Sequence, residues 1–143
     1  MNVNITVANT RQQIDDAYHV RMTVFVEEQK VPPEEEIDEH DKTAIHFVGY
    51  EAGDTPVAAS RLRFAGEYGK LERICVMKEY RGKHFGQQMI HAMEEMIRTK
   101  GYKKAKLNAQ THAEDFYSQL GYQTISGEFM DAGIPHVTMI KEL

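Results

Sequence analysis

The stretch LERICVMKEYRGKHFGQQ, residues 71–88, decides the fold of this chain. Its first part, residues 71–77, has the apolar composition of a strand. A turn with two glycines follows, and apolar residues then recur at helical spacing. A helix that begins in this way presents free backbone N–H groups and a positive partial charge, and Arg81 and Lys83 add two cations. The turn therefore predicts a phosphate or pyrophosphate site.

Taken alone, this turn is a weak pattern, and a purely structural turn is the alternative. It is not the P-loop of nucleotide-binding proteins, because Lys83 is followed by His84 instead of serine or threonine. It also lacks the three glycines of the dinucleotide-binding fingerprint. The segments on either side have to decide what the turn binds.

The neighbouring segments predict a mixed fold whose strands are mostly antiparallel. The helix after the turn carries a methionine-rich apolar stripe from Phe85 to Ile97 and stops at Gly101, so we expect it to pack on the core. Upstream, turn-forming residues separate three strand-like segments, which predict an antiparallel meander over 44–51, 56–64 and 71–77.

The two ends of the chain complete the predicted element order. Strand 4–7 precedes a helix that a Thr10–Gln13 capping box opens and Pro32 ends, and an acidic loop follows. After strand 104–109, Thr111 and Glu114 form a second capping-box pattern before a short helix. The inward positions of this helix are predicted to be Ala113, Phe116, Tyr117 and Leu120. The last two strands are predicted over 122–129 and 136–140.

The composition indicates one ordinary globular domain over residues 1–143. Of the 143 residues, 41% are hydrophobic and 27% are charged. No apolar run approaches the roughly 20 residues of a membrane-spanning helix, and the first residues lack the pattern of a secretory signal. The single cysteine, Cys75, excludes an internal disulfide. We therefore expect a cytoplasmic protein without a membrane partner.

Charge is distributed unevenly along the chain. The net charge of −5 argues against a nucleic-acid partner, and no aromatic platform accompanies the lysines. Residues 27–42 are nevertheless strongly acidic, and residues 70–106 are strongly basic. This pattern suits a protein that holds an anionic ligand at one place and a cationic ligand at another. The alternative is that both segments are solvated faces.

Two separated motifs resemble those of a known family, the GNAT family of N-acetyltransferases. The first is Ile74-Cys75-Val76 with the turn that starts at Tyr80, and the second is Ala113-x-x-Phe116-Tyr117-x-x-Leu120-Gly121-Tyr122. The likeness spans essentially the whole chain, and residues 25–41 further resemble a poorly characterised bacterial subgroup of these enzymes. It implies a single α/β (α+β) domain with a mixed, mostly antiparallel central sheet of about six to seven strands, flanked by about four helices.

The same resemblance implies acetyl-CoA as the co-substrate and assigns residues to it. The implied pyrophosphate loop comprises Arg81, Gly82, Lys83, His84, Phe85, Gly86 and Gln87, with His84 in place of the family's usual glycine. Ile74, Cys75 and Val76 form the strand beside the pantetheine arm, and Gln110 stands where many members have asparagine. Tyr117 is implied to contact the co-substrate and to act as the general acid for the departing thiolate, with a core aromatic as the alternative.

The reaction also needs a base, because alkylamines are mostly protonated at neutral pH and must be neutral to attack a thioester. Glu72 is the first candidate and His112 the second, and each could instead be structural. Cys75 has no activating neighbour in the sequence, so we expect it to be packed in the core. The histidines lack the spacing of metal ligands, so we expect no metal.

The acidic segment adjoins the first helix, which in this family borders the acceptor site. Glu27, Glu28 and some of the acidic residues from Glu34 to Asp41 are therefore predicted to attract a cationic amine. The leading interpretation is an enzyme, monomeric or homodimeric, that transfers acetyl from acetyl-CoA to a primary amine of a small molecule or peptide by direct attack in a ternary complex. The alternative, favoured by His84 and by the lack of an unmistakable base, is a non-catalytic sensor that binds acyl-CoA and regulates a partner.

Overall fold

A computed structural model describes residues 3–143 as one sheet with helices on both faces. The strands of this region are β1 (Asn4–Val7), β2 (Ile45–Glu51), β3 (Thr55–Ala65), β4 (Tyr68–Val76), β5 (Lys104–Gln110), β6 (Gln123–Thr124), β7 (Phe129–Asp131) and β8 (Ile134–Glu142). The α-helices are α1 (Arg11–Arg21), α2 (Pro33–Glu36), α3 (Phe85–Thr99) and α4 (Glu114–Gln119). The sheet order is β1-β2-β3-β4-β5-β8-β6, β7 also pairs with β8, and only β4 and β5 are parallel. The predicted mixed, mostly antiparallel fold is confirmed.

Helix α1 begins at the predicted capping box. The Thr10 hydroxyl accepts a hydrogen bond from the Gln13 N–H, and the Gln13 side chain accepts one from the Thr10 N–H, both at 3.1 Å. The helix then widens into a π-helical segment, Met22–Glu28. This continuation places the residues after Arg21 beside the end of β4, where the candidate site lies.

The core fills both faces of the sheet. On one face α3 buries Met89, Met93 and Ile97 completely, which confirms the predicted role of the methionine stripe. Helix α3 lies so close to β4 that a Cβ atom on Gly69 would come within 2.4 Å of Ile97 Cγ1. The other face is covered by α1 and its continuation, with a smaller cluster that includes Ala17, Val20, Val24, Val48, Ala59 and Cys75.

The prediction of one continuous strand over 122–129 is wrong. The chain instead forms the two short strands β6 and β7 along the same edge of β8. Between them, the side-chain oxygen of Ser126 accepts a hydrogen bond from the Thr138 N–H at 2.8 Å. A side chain thus replaces a backbone hydrogen bond between the strands. The pattern of alternating residues could not indicate this interruption.

The second predicted capping box is also wrong. Residues Thr111–Ala113 form a 3₁₀ turn, and α4 begins after Ala113 without a side-chain cap. The Glu114 carboxylate instead accepts a hydrogen bond from the Thr124 hydroxyl. Phe116, predicted to face inward, is 41% exposed and lies beside Gly86, where a Cβ atom would be 3.7 Å from its ring.

Strand β4 carries the irregularity that positions the site. Arg73 has a left-handed backbone with φ 56°, and the register between β3 and β4 shifts by one residue there, which is a β-bulge. On its other side, β4 pairs with β5 only from Tyr68 to Leu71. Beyond Leu71 the two parallel strands have no pairing, and a cleft opens between their ends.

A buried ion-pair network fixes the acidic segment against the sheet. Arg21 binds Glu36 and Asp41, both at 2.7 Å, and Arg61 binds Asp38 at 2.7 Å and Asp41 at 3.0 Å. Both arginines are almost completely buried. The predicted acidic loop thus forms α2 and a 3₁₀ turn, and these carboxylates stabilise the fold instead of facing a ligand.

Within residues 3–143, no helix combines the length and apolar character that crossing a membrane requires.

Candidate active site

The divergence of β4 and β5 opens a cleft of about 650 Å³. The cleft brings together most of the predicted site residues: Glu72, Ile74, Cys75, Val76, Arg81, Gly82, His84, Phe85, Gly86, Gln87, Gln110, His112 and Tyr117. Three predicted residues, Glu27, Glu28 and Lys83, do not line it. Loops and strand ends from distant parts of the chain therefore meet here, as is usual for binding sites.

The turn before α3 has the geometry of an anion site. Gly82 has φ +81°, and His84, at the N-cap position, is also left-handed with φ 65°. The first helical hydrogen bond runs from the Gln88 N–H to the His84 carbonyl at 3.1 Å. The N–H groups of Phe85, Gly86 and Gln87 precede it and have no acceptor within the helix. The left-handed backbone also explains why glycine would be favoured where His84 stands.

Arg81 is held at the mouth of the cleft by two partners. Its Nε donates to the Val76 carbonyl at 2.9 Å, and its two terminal nitrogens donate to the Glu28 carboxylate at 2.6 Å each. The hydrogen bonds from Arg81 hold the pKa of Glu28 below its usual value. Glu28, predicted to bind the acceptor, thus pairs with a residue of the predicted phosphate loop.

Lys83 also belongs to the turn but points elsewhere. Its Nζ lies 5.2 Å from the centroid of the Tyr80 ring and 3.9 Å from Glu51 Oε2. A cation–π contact of this kind is worth about 0.5–1 kcal/mol at an exposed site. Lys83 can therefore contribute charge near the turn but does not form the cleft wall.

The end of β4 exposes backbone groups to the cleft. The Met77 N–H donates to the Val57 carbonyl of β3 at 2.8 Å. Because successive residues of a strand direct their backbone groups to opposite sides, those of Ile74 and Val76 face away from β3. They face the gap where β5 has diverged, so no strand of the described region pairs with them there, and the Val76 carbonyl accepts from Arg81 instead.

Cys75, between these two residues, is buried on the opposite side of β4. Its Sγ lies 3.7 Å from the Ala59 carbonyl, to which the thiol donates. Burial raises the pKa of the Cys75 thiol to about 12. The thiol stays protonated at neutral pH, which argues against a cysteine nucleophile.

Tyr117 of α4 lines the cleft with its ring packed edge-on against two others. The ring centroids of Phe116 and Tyr122 lie 5.2 and 6.1 Å away. Burial raises the pKa of Tyr117 to about 12, and the nearby Cys75 acts in the same direction. The hydroxyl is therefore protonated at neutral pH and can donate a proton or a hydrogen bond.

Glu72, the first candidate base, accepts hydrogen bonds from two arginines. Its Oε1 accepts from Arg61 Nε at 2.8 Å and from Arg63 Nε at 2.9 Å, and its Oε2 accepts from Arg63 Nη2 at 3.0 Å. Burial acts to raise the pKa of Glu72, but these hydrogen bonds outweigh it and lower the pKa. A carboxylate stabilised in this way is a weak base, so the geometry favours a structural ion pair.

His112, the second candidate, is exposed at the start of the 3₁₀ turn. Its Nε2 lies 2.6 Å from Gln110 Oε1, and Gln110 Nε2 donates to Gln29 Oε1 at 2.9 Å. This chain of hydrogen bonds links the end of β5 to the π-helical segment. Among residues 3–143, no group of three or more histidine, cysteine or acidic side chains has the arrangement of a metal site.

Other polar side chains line the cleft without having been singled out in the sequence: Gln29, Asn108, Asp131 and His136. Glu35, which belongs to the predicted acidic segment, lines it as well. His136 of β8 lies opposite Gln110 of β5, and the ring stacks on Phe129 with centroids 6.0 Å apart. The alternation over 136–140 indicated a strand but not its partner. No local signal in the sequence could have placed His136 beside the predicted site.

Comparisons with known proteins agree on one family. The sequence model of the acetyltransferase (GNAT) domain matches residues 8–143. The chain is 47% identical over 137 residues to the uncharacterised N-acetyltransferase YjcF of Bacillus subtilis, which covers 95% of this chain and 97% of that protein.

Solved structures share this fold. The crystal structure of an N-acetyltransferase candidate from Lactobacillus plantarum is 30% identical with a TM-score of 0.92, over 100% of this chain and 99% of that one. A GNAT family acetyltransferase from Elizabethkingia anophelis, crystallised with acetyl-CoA bound, shares the fold at 15% identity and a TM-score of 0.77, over 99% of each chain.

Proposed function

This chain belongs to the GNAT acetyltransferase family, and from that premise we propose that it transfers the acetyl group of acetyl-CoA to a primary amine by direct attack in a ternary complex. The observation that carries the proposal is that one cleft joins a helix start with free N–H groups, a strand edge without a partner in β5 and a protonated tyrosine. Each of the three meets a different chemical need of the reaction.

The helix start and the strand edge fit the two parts of the donor. The free N–H groups of residues 85–87, with Arg81 beside them, suit the pyrophosphate of acetyl-CoA. The Ile74 backbone groups and the Val76 N–H, which have no partner in β5, suit the amide groups of the pantetheine arm. An N–H group on this edge would also polarise the thioester carbonyl as negative charge develops on its oxygen.

The bond changes follow from these positions. The lone pair of a neutral amine attacks the carbonyl carbon, the C–N bond forms, and the C–S bond breaks. Tyr117 gives its proton to the departing sulfur, which its raised pKa allows at neutral pH. The chain itself forms no covalent intermediate, in agreement with the protonated and buried Cys75.

The acceptor is proposed to enter the same cleft. Glu35 and Asp131 line the cleft, and neither makes an ion pair among residues 3–143. Their carboxylates attract a cation, so they take the role that the sequence assigned to Glu27 and Glu28. The acceptor class we propose is therefore a cationic primary amine of a small molecule or a peptide.

The experiment that tests the proposal combines calorimetry with a product assay. Wild-type protein is titrated with acetyl-CoA, and a panel of propylamine, spermidine, lysine and a peptide with a free N-terminus is then screened by mass spectrometry for an added acetyl group. We expect donor binding and at least one acetylated amine. Replacement of Tyr117 by phenylalanine should lower the turnover number by about 10²- to 10⁴-fold with little change in donor affinity.

Two outcomes would contradict the proposal in different ways. Donor binding without any acetylated product would favour the sensor, which the left-handed His84 in the phosphate turn still allows. Absence of donor binding at millimolar acetyl-CoA would leave the turn with a structural role only. Unchanged turnover of the phenylalanine variant would remove Tyr117 from the reaction.

A further inference from the structure

His136 is a buried histidine whose two ring nitrogens have different surroundings. Its Nδ1 lies 2.7 Å from the carbonyl oxygen of Ile134. A carbonyl only accepts hydrogen bonds, so Nδ1 carries the proton, and in the neutral ring Nε2 has the lone pair. Stacking on Phe129, with the ring planes 23° apart, holds the ring in this orientation. The fold thus fixes which nitrogen can accept a proton.

The free nitrogen of His136 belongs to a residue that lines the cleft. Among residues 3–143, Nε2 of His136 has no hydrogen-bond partner. In the same region, three other side-chain atoms also lack a partner but are inaccessible to solvent: His46 Nδ1, Glu51 Oε2 and Ser60 Oγ. Nε2 of His136 is not among these inaccessible atoms. His136 lines the cleft and faces Gln110 across the β5–β8 pairing. Solvent or an acceptor in the cleft can therefore reach its lone pair.

Glu35 and Asp131 are proposed to attract the acceptor, and four of the other titratable groups that line the cleft are less suited than His136 to accept a proton. Glu72 is held by two arginines with its pKa lowered. Cys75 and Tyr117 have raised pKa values and serve as proton donors or stay inert. His112 is exposed on a turn and is held only through the amide of Gln110. His136 alone of these five combines a fixed tautomer, limited exposure and a free lone pair.

We propose that His136 is the general base that takes the proton from the acceptor ammonium, a role that rests on the proposed acetyl transfer. Two protons leave the nitrogen in all. Nε2 takes the first, which frees the lone pair for attack, and passes it to solvent after the reaction. The second leaves as the amide forms and replaces the proton that Tyr117 gives to the sulfur. The products are the amide, the free thiol of CoA and one proton in solvent.

The test replaces His136 by asparagine. The asparagine amide offers an N–H in the place of Nδ1, so it can keep the bond to Ile134, but it has no basic nitrogen. With the amine found in the panel, we expect the turnover number to fall by about 10²- to 10⁴-fold. The dissociation constant of acetyl-CoA should stay within about twofold, since His136 acts on the acceptor. His91→Asn, an exposed site on α3, is the matched control and should keep wild-type turnover.

Two further measurements keep the test decisive if the asparagine variant is unstable. In His136→Ala, added imidazole should restore part of the lost turnover, because a free base can enter the space left by the ring. In the wild-type protein, nitrogen NMR shifts of His136 should show the proton on Nδ1. A proton found on Nε2 in the neutral ring would overturn the inference.

The failure of this inference is distinguishable from the failure of the proposed function. A wild-type protein that acetylates none of the amines would overturn both. A wild-type protein that acetylates an amine, with an asparagine variant that binds the donor and turns over at the wild-type rate, would overturn only the role of His136. Loss of turnover in His112→Asn but not in His136→Asn would move the base to the turn after β5.

Discussion

Two arginine–carboxylate systems in this molecule have the same chemistry and opposite surroundings. In the first, Arg21 and Arg61 are buried and share the carboxylate of Asp41. In the second, Arg81 and Glu28 pair at the mouth of the cleft, with side chains that are 41% and 35% exposed. The first connects α1, the acidic segment and β3, whereas the second connects the π-helical segment to the phosphate turn.

The difference shows how burial decides what an ion pair can do. A buried charge that loses its partner has no solvent to replace it, so the first system is fixed. An exposed pair is worth little, and water or another ion can replace either partner. In the proposed function, Glu28 therefore orients Arg81 when no donor is bound, and the pyrophosphate of acetyl-CoA can replace Glu28 with little change in free energy.

The strongest way to test this contrast is to remove Asp41. Asp41→Ala leaves two buried arginines short of a carboxylate, so we expect the free energy of unfolding to fall by about 3–5 kcal/mol. Urea unfolding followed by circular dichroism measures this change. Glu28→Ala is the matched control at the exposed pair and should change the value by at most about 1 kcal/mol. Equal losses in both variants would contradict the contrast.

Acid should weaken the buried system progressively. Burial acts to raise the pKa values of Asp38 and Asp41, but hydrogen bonds from the arginines outweigh it and lower both. Such groups add stability above their unfolded pKa of about 4, and this stability is lost as the pH falls through the lower folded values. Glu36 acts in the opposite sense, since burial raises its pKa.

We therefore expect the free energy of unfolding to decrease by a few kcal/mol between about pH 5 and pH 2. Urea unfolding at several pH values across this window measures the slope. The slope should be shallower in Asp41→Asn, which cannot titrate at this position. Stability that is independent of pH over the window would show that these carboxylates make no net contribution to it.

The exposed pair should matter for the ligand instead. Arg81→Ala removes a charge-assisted contact worth about 1.5–3 kcal/mol, so we expect acetyl-CoA to bind about 10- to 100-fold more weakly. Calorimetric titration measures the affinity. Unfolding by urea should be almost unchanged, because Arg81 is partly exposed. A large loss of stability without loss of affinity would reverse the proposed roles.

The smallest effect is expected when Glu28 is neutralised. Glu28→Gln removes the competitor of the pyrophosphate, so acetyl-CoA should bind up to about fivefold more tightly, from a pair worth about 0.2–1 kcal/mol. The same titration measures it, with Glu34→Gln as a control that changes the charge equally on the exposed face of α2. Weaker binding of acetyl-CoA to Glu28→Gln would show that the main effect of Glu28 is to position Arg81, and that its competition with the pyrophosphate for Arg81 matters less.

Local patterns predicted the elements that local physics determines. The methionine stripe of α3 and the first capping box depend on residues three or four apart, and both have the expected structure. The left-handed backbone of His84 was not expected, since this conformation is unfavourable for residues other than glycine.

The contacts between distant segments could not be predicted in the same way. Arg81 and Glu28 are 53 residues apart, and the position of His136 depends on the register between β5 and β8. The sequence showed that residues 27–42 are acidic but not which carboxylates would meet an arginine. A carboxylate that pairs with a buried arginine stabilises the fold, whereas one without such a partner is free to attract a ligand.

The unpaired edge of β4 also predicts how its amide hydrogens exchange with deuterium. The Met77 N–H is bonded to β3, whereas the N–H groups of Ile74 and Val76 face the cleft. Slow and fast amides therefore alternate along one strand. A molecule that fills the cleft would slow the exchange of only the fast amides, those of Ile74 and Val76. Deuterium uptake of a peptide that covers β4 therefore reports whether the site is occupied, even before any acceptor is known.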